Sequence, residues 1–406
     1  MACLNACPHD ALTISTDCEG FDHPVLNKIL CVDCGFCEKA CPVINPIKRN
    51  NEKQLVYACW TNNKVLRLKS SSGGLFTELA SVILEKSGII FGAALDDNLI
   101  VYHTFEDTEN GLAKLRGSKY VQSIIGKSYK KVKEFLIKEK IVLFSGTPCQ
   151  IAGLLAYLQK DYKNLYTLDI VCHGVPSPLI FEEYKSYIEK KINNKIYNIK
   201  FRDKKYSWIY YNISINEAVI NKKSKSYIGS YYSDPYIRGF LRDYFLRPSC
   251  HECKYTNLDR MGDVTMADYW GYKKQQKTDK NFKELGVSLA IINTDKGKKL
   301  FNDCKPNLTY FSKTLKDALS TNKSLSEPFP MPYNREAFWN DYRSMSFEKL
   351  VKKWLKPEDI SLRVFLLSNY KHTVMIKLII YMLYFPEKAI KKMIRVCDEV
   401  KSNIYK

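Results

Sequence analysis

Residues 140–174 read KIVLFSGTPCQIAGLLAYLQKDYKNLYTLDIVCHG. The opening KIVLF (140–144) is a short apolar run of strand-forming residues, Gly146-Thr147-Pro148-Cys149 is a turn, residues 151–158 have helical apolar spacing, and residues 165–171 form a second strand. Strand, helix and strand in that order make a βαβ unit with parallel strands and a right-handed crossover. Cys149 and Cys172 each stand just past a strand's carboxyl end, so both belong on the rim where α/β sheets build their sites. Working outward, residues 263–267 and 287–293 complete the sheet as further strands. Residues 75–86, 179–192 and 235–245 read as helices. The fold class expected is α+β / α/β.

The chain has 406 residues, more than one hydrophobic core usually serves, so two or three domains are expected. With 45% hydrophobic and 26% charged residues, it is an ordinary globular composition. Residues 1–12 are polar and cysteine-containing and do not resemble a signal peptide, which predicts a cytoplasmic protein. The most apolar segment, 374–385, contains Lys377 and is shorter than the roughly 20 residues of a membrane span. The net charge of +20 comes from lysines interleaved with Asn, Ile and Tyr throughout, without a basic tract, so nucleic-acid binding is not expected.

Eight of the 14 cysteines lie in residues 1–59, and none falls between Cys59 and Cys149. In a cytoplasmic chain such clusters read as metal or redox sites rather than disulfides. This stretch is also acidic, with five basic and seven acidic residues, and a boundary is expected near PIKRNNEK (46–53). Cys31, Cys34, Cys37, Cys41 and Pro42 form C-x2-C-x2-C-x3-C-P, the run in which three thiolates hold one 4Fe–4S cluster and the fourth serves another. Cys3-x3-Cys7-Pro8 is the tail of a second copy, so Cys7 completes the first cluster. The intervening residues 11–29, with Leu12 and Ile14 alternating, suit the short strands between two such halves. The first copy lacks its two leading cysteines. That leaves Cys3 and Cys41 as an incomplete ligand set for a second cluster, and it suggests that Met1 is a truncated start. Cys18 and Cys59 stand at spacings the motif does not use. Zinc would call for two pairs at ribbon spacing, which this stretch lacks.

Downstream, Ser70-Ser71-Ser72-Gly73-Gly74 precedes the helix at 75–86, joining hydroxyls and bare backbone to a helix N-terminus that suits a phosphate. A capping serine after a flexible turn explains the same residues. Arg116-Gly117-Ser118-Lys119-Tyr120 is a second polar, cationic loop that could grip the same anion. Cys250-x2-Cys253 adds two thiols to those of Cys149 and Cys172, enough for a 4Fe–4S site. A zinc site that recruits His251 or His173 stays open. Trp270, beside Asp268, could flank an aromatic ring system, although core packing explains it equally well.

Taken together, Ser71-Ser72-Gly73-Gly74, Gly117-Ser118-Lys119-Tyr120, Gly146-Thr147-Pro148-Cys149-Gln150, Cys172-His173-Gly174, Cys250-x2-Cys253 and Gly262-Asp263-x4-Asp268-x-Trp270-Gly271 resemble the coenzyme F420 hydrogenase/dehydrogenase beta subunit family over roughly residues 55–300. The resemblance implies a ferredoxin-type head (1–48), the N-terminal (55–135) and C-terminal (136–327) parts of the family's FAD and iron–sulfur domain, and a helical tail (333–406). It implies that Cys149, Cys172, Cys250 and Cys253 hold an internal 4Fe–4S cluster. Ser72, Gly73, Gly74, Ser118, Lys119, Tyr120, Gly146 and Thr147 would lie near FAD, with Lys119 the cation for reduced flavin. His173 could donate a proton, although a structural histidine is the preferred reading. The resemblance further implies an oxidoreductase that passes electrons between ferredoxin or another redox partner and an unidentified small-molecule acceptor. Relatives with this head are similar to accessory proteins of surface-polysaccharide synthesis. An electron-transfer subunit without its own substrate and a zinc-bearing non-redox module are the competing readings. The tail's 374–385 segment, flanked by lysines, could touch a membrane surface, but packing against the main domain is preferred.

Overall fold

The computed structural model describes residues 1–49, 53–205, 207–216, 226–270, 272 and 285–356. The chain divides into the units Met1–Leu355 and Lys356–Lys406, and the apolar segment 374–385 lies outside the described residues. Among the described residues no helix is long and apolar enough to cross a membrane.

The first unit opens with helix α1 (Ala2–Ala6), strands β1 (Leu12–Thr16) and β2 (Asp22–Leu26), and helix α2 (Phe36–Lys39). β1 and β2 pair antiparallel, Leu12 opposite Leu26, as the alternation around Leu12 and Ile14 predicts. The loop Cys31–Cys37 between β2 and α2 turns through two left-handed residues, Asp33 at φ 51° and Gly35 at φ 70°. Alternation of this kind curls backbone N–H groups around a concave centre, a geometry common at phosphate and iron–sulfur sites.

The chain continues through β3 (Leu55–Thr61), α3 (Lys64–Lys69), α4 (Leu75–Glu85), β4 (Ile89–Leu95), β5 (Val101–Glu106), α5 (Leu112–Leu115) and α6 (Ser128–Ile137). Next come β6 (Val142–Gly146), α7 (Pro148–Leu158), β7 (Leu165–Ile170) and α8 (Pro178–Ile192). They are followed by β8 (Ile199–Asp203), β9 (Asn212–Ile215), β10 (Tyr227–Ser230), α9 (Pro235–Leu241), β11 (Val264–Asp268), β12 (Ser288–Ile292), α10 (Asp295–Cys304) and β13 (Leu308–Lys313). Eight strands form one sheet in the order β13-β3-β12-β11-β7-β6-β4-β5. β4, β6, β7 and β11 run parallel at its centre, and antiparallel pairs close both sides. The fold is mixed α/β, and the βαβ unit read from residues 140–171 is its central crossover.

Local chemistry explains the key elements. Val142, Leu143 and Phe144 are fully buried, as a central parallel strand requires. Thr147 and Gln150 form a capping box and Pro148 occupies the first turn, so α7 starts immediately after β6. Ser177 and Pro178 start α8 in the same manner, with Ser177 Oγ accepting from Ile180 N–H at 3.2 Å. α4 buries Leu75, Leu79, Val82 and Ile83 against the sheet. α9 ends at Leu241 rather than at residue 245, because Asp243 takes a left-handed φ of 62° and breaks the helix. Strands β8–β10 form a separate antiparallel sheet that the sequence pattern does not announce.

The head packs into this unit. Ala2 and Ala40 join the apolar cluster of Ile151, Leu154 and Tyr129, and Asn5 Nδ2 donates to the Gly126 carbonyl at 2.9 Å. Arg335 clasps the Glu19 carboxylate, and Tyr255 Oη donates to the Pro42 carbonyl at 2.9 Å. Arg49, in the connection out of the head, pairs at 2.6 Å with the buried carboxylate of Asp263.

Candidate functional site

The rim at the carboxyl ends of β6, β7 and β11 opens on a cavity of about 1080 Å³. Cys149 stands in the first turn of α7, Cys172 two residues past β7, and Cys250 and Cys253 in a loop that begins with the 3-10 turn Pro248–Cys250. All four line the cavity, as do Cys3 and Cys41 of the head, whereas Cys7, Cys31, Cys34 and Cys37 lie away from it. Cys59 is buried within β3, and Cys18 is exposed.

The four thiols of the main site feel one another. Burial pushes the Cys149 thiol up, opposed by a contact with Thr147 Oγ1 at 3.1 Å and reinforced by Cys253. Cys149 is open to the cavity interior yet deep within the protein, which is why burial dominates. Burial, then Cys250 and Cys149, hold the Cys172 thiol well above its usual range. Burial raises Cys250 to about 12, with Cys149 and Cys253 contributing. Thiols so placed stay protonated unless a cation compensates the charge. Among the described residues no three His, Cys, Asp or Glu side chains converge tightly enough to hold a single metal ion.

The other predicted residues divide. Ser72, Gly74, Ser118, Lys119, Tyr120, Gly146, Thr147 and His173 line the cavity. Gly73 is set back from it against β3 and β12, where an added Cβ would meet the Cys59 carbonyl oxygen at 2.5 Å and the Ser288 nitrogen at 2.7 Å. Gly74 is the N-cap of α4 in a left-handed conformation, and among the described residues no side chain caps that helix. Its first turn therefore keeps unpaired N–H groups and the positive end of its dipole facing the cavity.

Lys119 is committed elsewhere. Its Nζ donates at 3.0 Å to each of the carbonyls of Lys114, Leu115 and Arg116, closing the end of α5, and burial, reinforced by Arg116, lowers it to about 7. Arg116 also lines the cavity, with its Nε donating to Thr77 Oγ1 at 3.0 Å. His173 Nε2 meets Asp243 Oδ1 at 2.6 Å, and its ring lies between Phe240 and Phe329.

Arg202, Tyr211 and His103 line the cavity without a sequence signal, and Trp208 stands behind Asp268 and Trp270. The Arg202 guanidinium pairs with both Asp268 oxygens at 2.8 and 3.1 Å and lies over the rings of Tyr211 and Trp270. Trp208 Nε1 donates to Asp268 at 2.7 Å, and its ring stacks on Trp270. Trp270 is thus both packed in the core and present at the cavity wall. His103, fully enclosed, meets Ser123 Oγ at 2.7 Å and the Ser145 carbonyl at 3.2 Å, and burial lowers it to about 4. Arg202 and His103 belong to short strands, β8 and β5, and only the fold brings them to the rim.

Fold and site define a mixed α/β protein with a thiol-lined cavity at its sheet rim. Residues 139–317 match the family described as the C terminus of the coenzyme F420 hydrogenase/dehydrogenase beta subunit. A chain in a solved structure described as a xenon derivatization of the F420-reducing NiFe hydrogenase complex from Methanosarcina barkeri is similar at 15% identity and a TM-score of 0.44. That match covers 71% of this chain and 98% of the other. No curated protein matches.

Proposed function

We propose that the chain is an iron–sulfur flavoprotein oxidoreductase that works with other redox proteins, passing electrons between a partner, such as a ferredoxin, and a small-molecule acceptor. The observation that carries this reading is the meeting of Cys149, Cys172, Cys250 and Cys253, from three separate stretches of chain, at one cavity that also receives the uncapped N-terminus of α4. The donor set of four thiols suits a 4Fe–4S cluster. In the head, Cys31, Cys34 and Cys37 with Cys7 form the ligand set of a second cluster, supported by the left-handed turns at Asp33 and Gly35. Cys3 and Cys41 are too few for another.

For FAD, the fit rests on the cavity's volume and on its polar end, where Ser71, Ser118, Arg116 and the start of α4 meet. When bound, FAD would supply exchange between one-electron carriers and two-electron substrates. The chain's own residues would bind the pyrophosphate at α4, orient the ring system, and exclude water through the apolar walls. His173, held by Asp243, would keep or move a proton at Nε2. A cytoplasmic location and a role in surface-polysaccharide synthesis are part of the proposal.

Anaerobic purification followed by iron, sulfide, zinc and flavin analysis tests it. The expected result is about eight irons and eight sulfides per chain with bound FAD. A colourless, zinc-loaded protein that takes up no flavin overturns the reading.

A further inference from the structure

We propose that Lys204 is the positioning residue of this cavity, its ammonium holding the loop of residues 70–74 in the shape that opens α4 to the anionic part of the bound dinucleotide. The inference rests on the FAD reading above. Lys204 follows β8 and is 4% exposed. Its Nζ donates to the carbonyls of Arg67 at 2.6 Å, Ser72 at 2.7 Å and Leu285 at 2.7 Å. An ammonium has three donors, so all are satisfied by backbone and none remains for a ligand.

The three oxygens come from α3, from the loop before α4, and from the segment leading into β12. Local geometry holds Lys119 to its own loop, whereas Lys204 ties together stretches that lie far apart in the chain. Its neighbours complete the clamp. Ser72 Oγ donates to the Val287 carbonyl at 2.8 Å, Gly73 N–H donates to Ser288 Oγ at 2.9 Å, and Arg67 Nε donates to the Gly286 carbonyl at 2.9 Å. Gly286, at φ 91°, approaches so closely that an added Cβ would meet the Ser72 carbonyl carbon at 2.8 Å.

The consequence for an anion is direct. A phosphate at a helix N-terminus is bound by N–H groups and repelled by carbonyl oxygens that face it. Lys204 draws the Ser72 carbonyl onto its ammonium, together with those of Arg67 and Leu285, so the loop passes the mouth of α4 without presenting the Ser72 oxygen. Ser70 Oγ is also turned back, to the Leu66 carbonyl at 2.8 Å, and Ser71 faces the Ser118 loop.

The test is titration of the flavin-stripped full chain with FAD and with riboflavin, followed by fluorescence quenching, for the wild type, Lys204→Met and Lys204→Gln. Lys204→Met is expected to weaken FAD binding roughly ten- to hundred-fold, as loss of a supporting shell does at other sites, while leaving riboflavin affinity unchanged. Lys204→Gln, which keeps part of the donor set, falls between. A folded Lys204→Met chain with the wild-type ratio of FAD to riboflavin affinity overturns the proposal, even if its melting temperature is lower. If that variant does not fold, the same ratio measured in Lys204→Gln decides. Failure of the wild type to bind FAD at all overturns the reading of the cavity itself.

Discussion

Ser71 Oγ accepts hydrogen bonds from the backbone N–H of Ser118 at 2.9 Å and from Ser118 Oγ at 3.2 Å. One hydroxyl thus joins the two polar loops that the sequence marks separately, and it does so at the cavity wall. Ser71→Ala is expected to cost about 1 kcal/mol of stability and to weaken FAD binding several-fold. Chemical denaturation and a flavin titration measure the two effects. Unchanged flavin affinity would show that the joined loops do not hold the ligand.

Cys7, Cys31, Cys34 and Cys37 of the head do not line the cavity of Cys149, Cys172, Cys250 and Cys253, so the losses of two clusters should be separable. Cys149→Ala is expected to remove about four of about eight irons per chain while the head's paramagnetic signal on reduction persists. Loss of both signals together would contradict two independent sites.

The Asp169–Arg260 pair stabilises the entry to β11. Both side chains are almost fully buried, and the Asp169 carboxylate accepts from Arg260 Nη2 at 3.0 Å, Gly262 N–H at 2.9 Å and Met261 N–H at 3.1 Å. Removing one partner strands the other charge, so Arg260→Leu should cost about 3–5 kcal/mol in urea denaturation. Wild-type stability in this variant would mean that the pair is dispensable.

His103 gives the protein an acid-sensitive limb. Burial holds it neutral until about pH 4, whereas in the unfolded chain it takes up a proton near its ordinary value of 6.5. Between those values the unfolded state binds more protons, so stability falls as pH drops through that window, by about 3 kcal/mol in all. His103→Gln should flatten the window when denaturation midpoints are compared at pH 7 and pH 4.5. An unchanged slope would place the acid sensitivity elsewhere.

What the sequence revealed of this site followed from connectivity. Alternation and turn chemistry over residues 140–174 were enough to place Cys149 and Cys172 at one rim, because parallel strands joined by a crossover leave their carboxyl ends together. The C-x2-C-x2-C-x3-C-P run is visible as a spacing, since it lies in one short stretch of chain. Arg202 and Lys204 were not legible. Each sits on or just after a short strand whose pattern says only buried or exposed, and their roles depend on partners brought near by the sheet. Lys119 was legible as a cation, but not the three carbonyls that occupy it, since the turn closing α5 is a matter of backbone geometry. The helix expected to reach residue 245 was too long by a few residues, because the left-handed turn at Asp243 carries no strong signature in sequence.

The apolar seam between α1 and α7 bears on how charge would enter the molecule. A head fastened by that seam, by Arg335 on Glu19 and by Tyr255 on Pro42 cannot swing out as a tethered shuttle. Ile29, 93% exposed, stands with Val32 and Phe36 beside Cys31 and Cys34 on a stationary landing stage. On the electron-transfer reading, a carrier would travel to that stage, and encounter rather than hinge opening would set the timing of delivery.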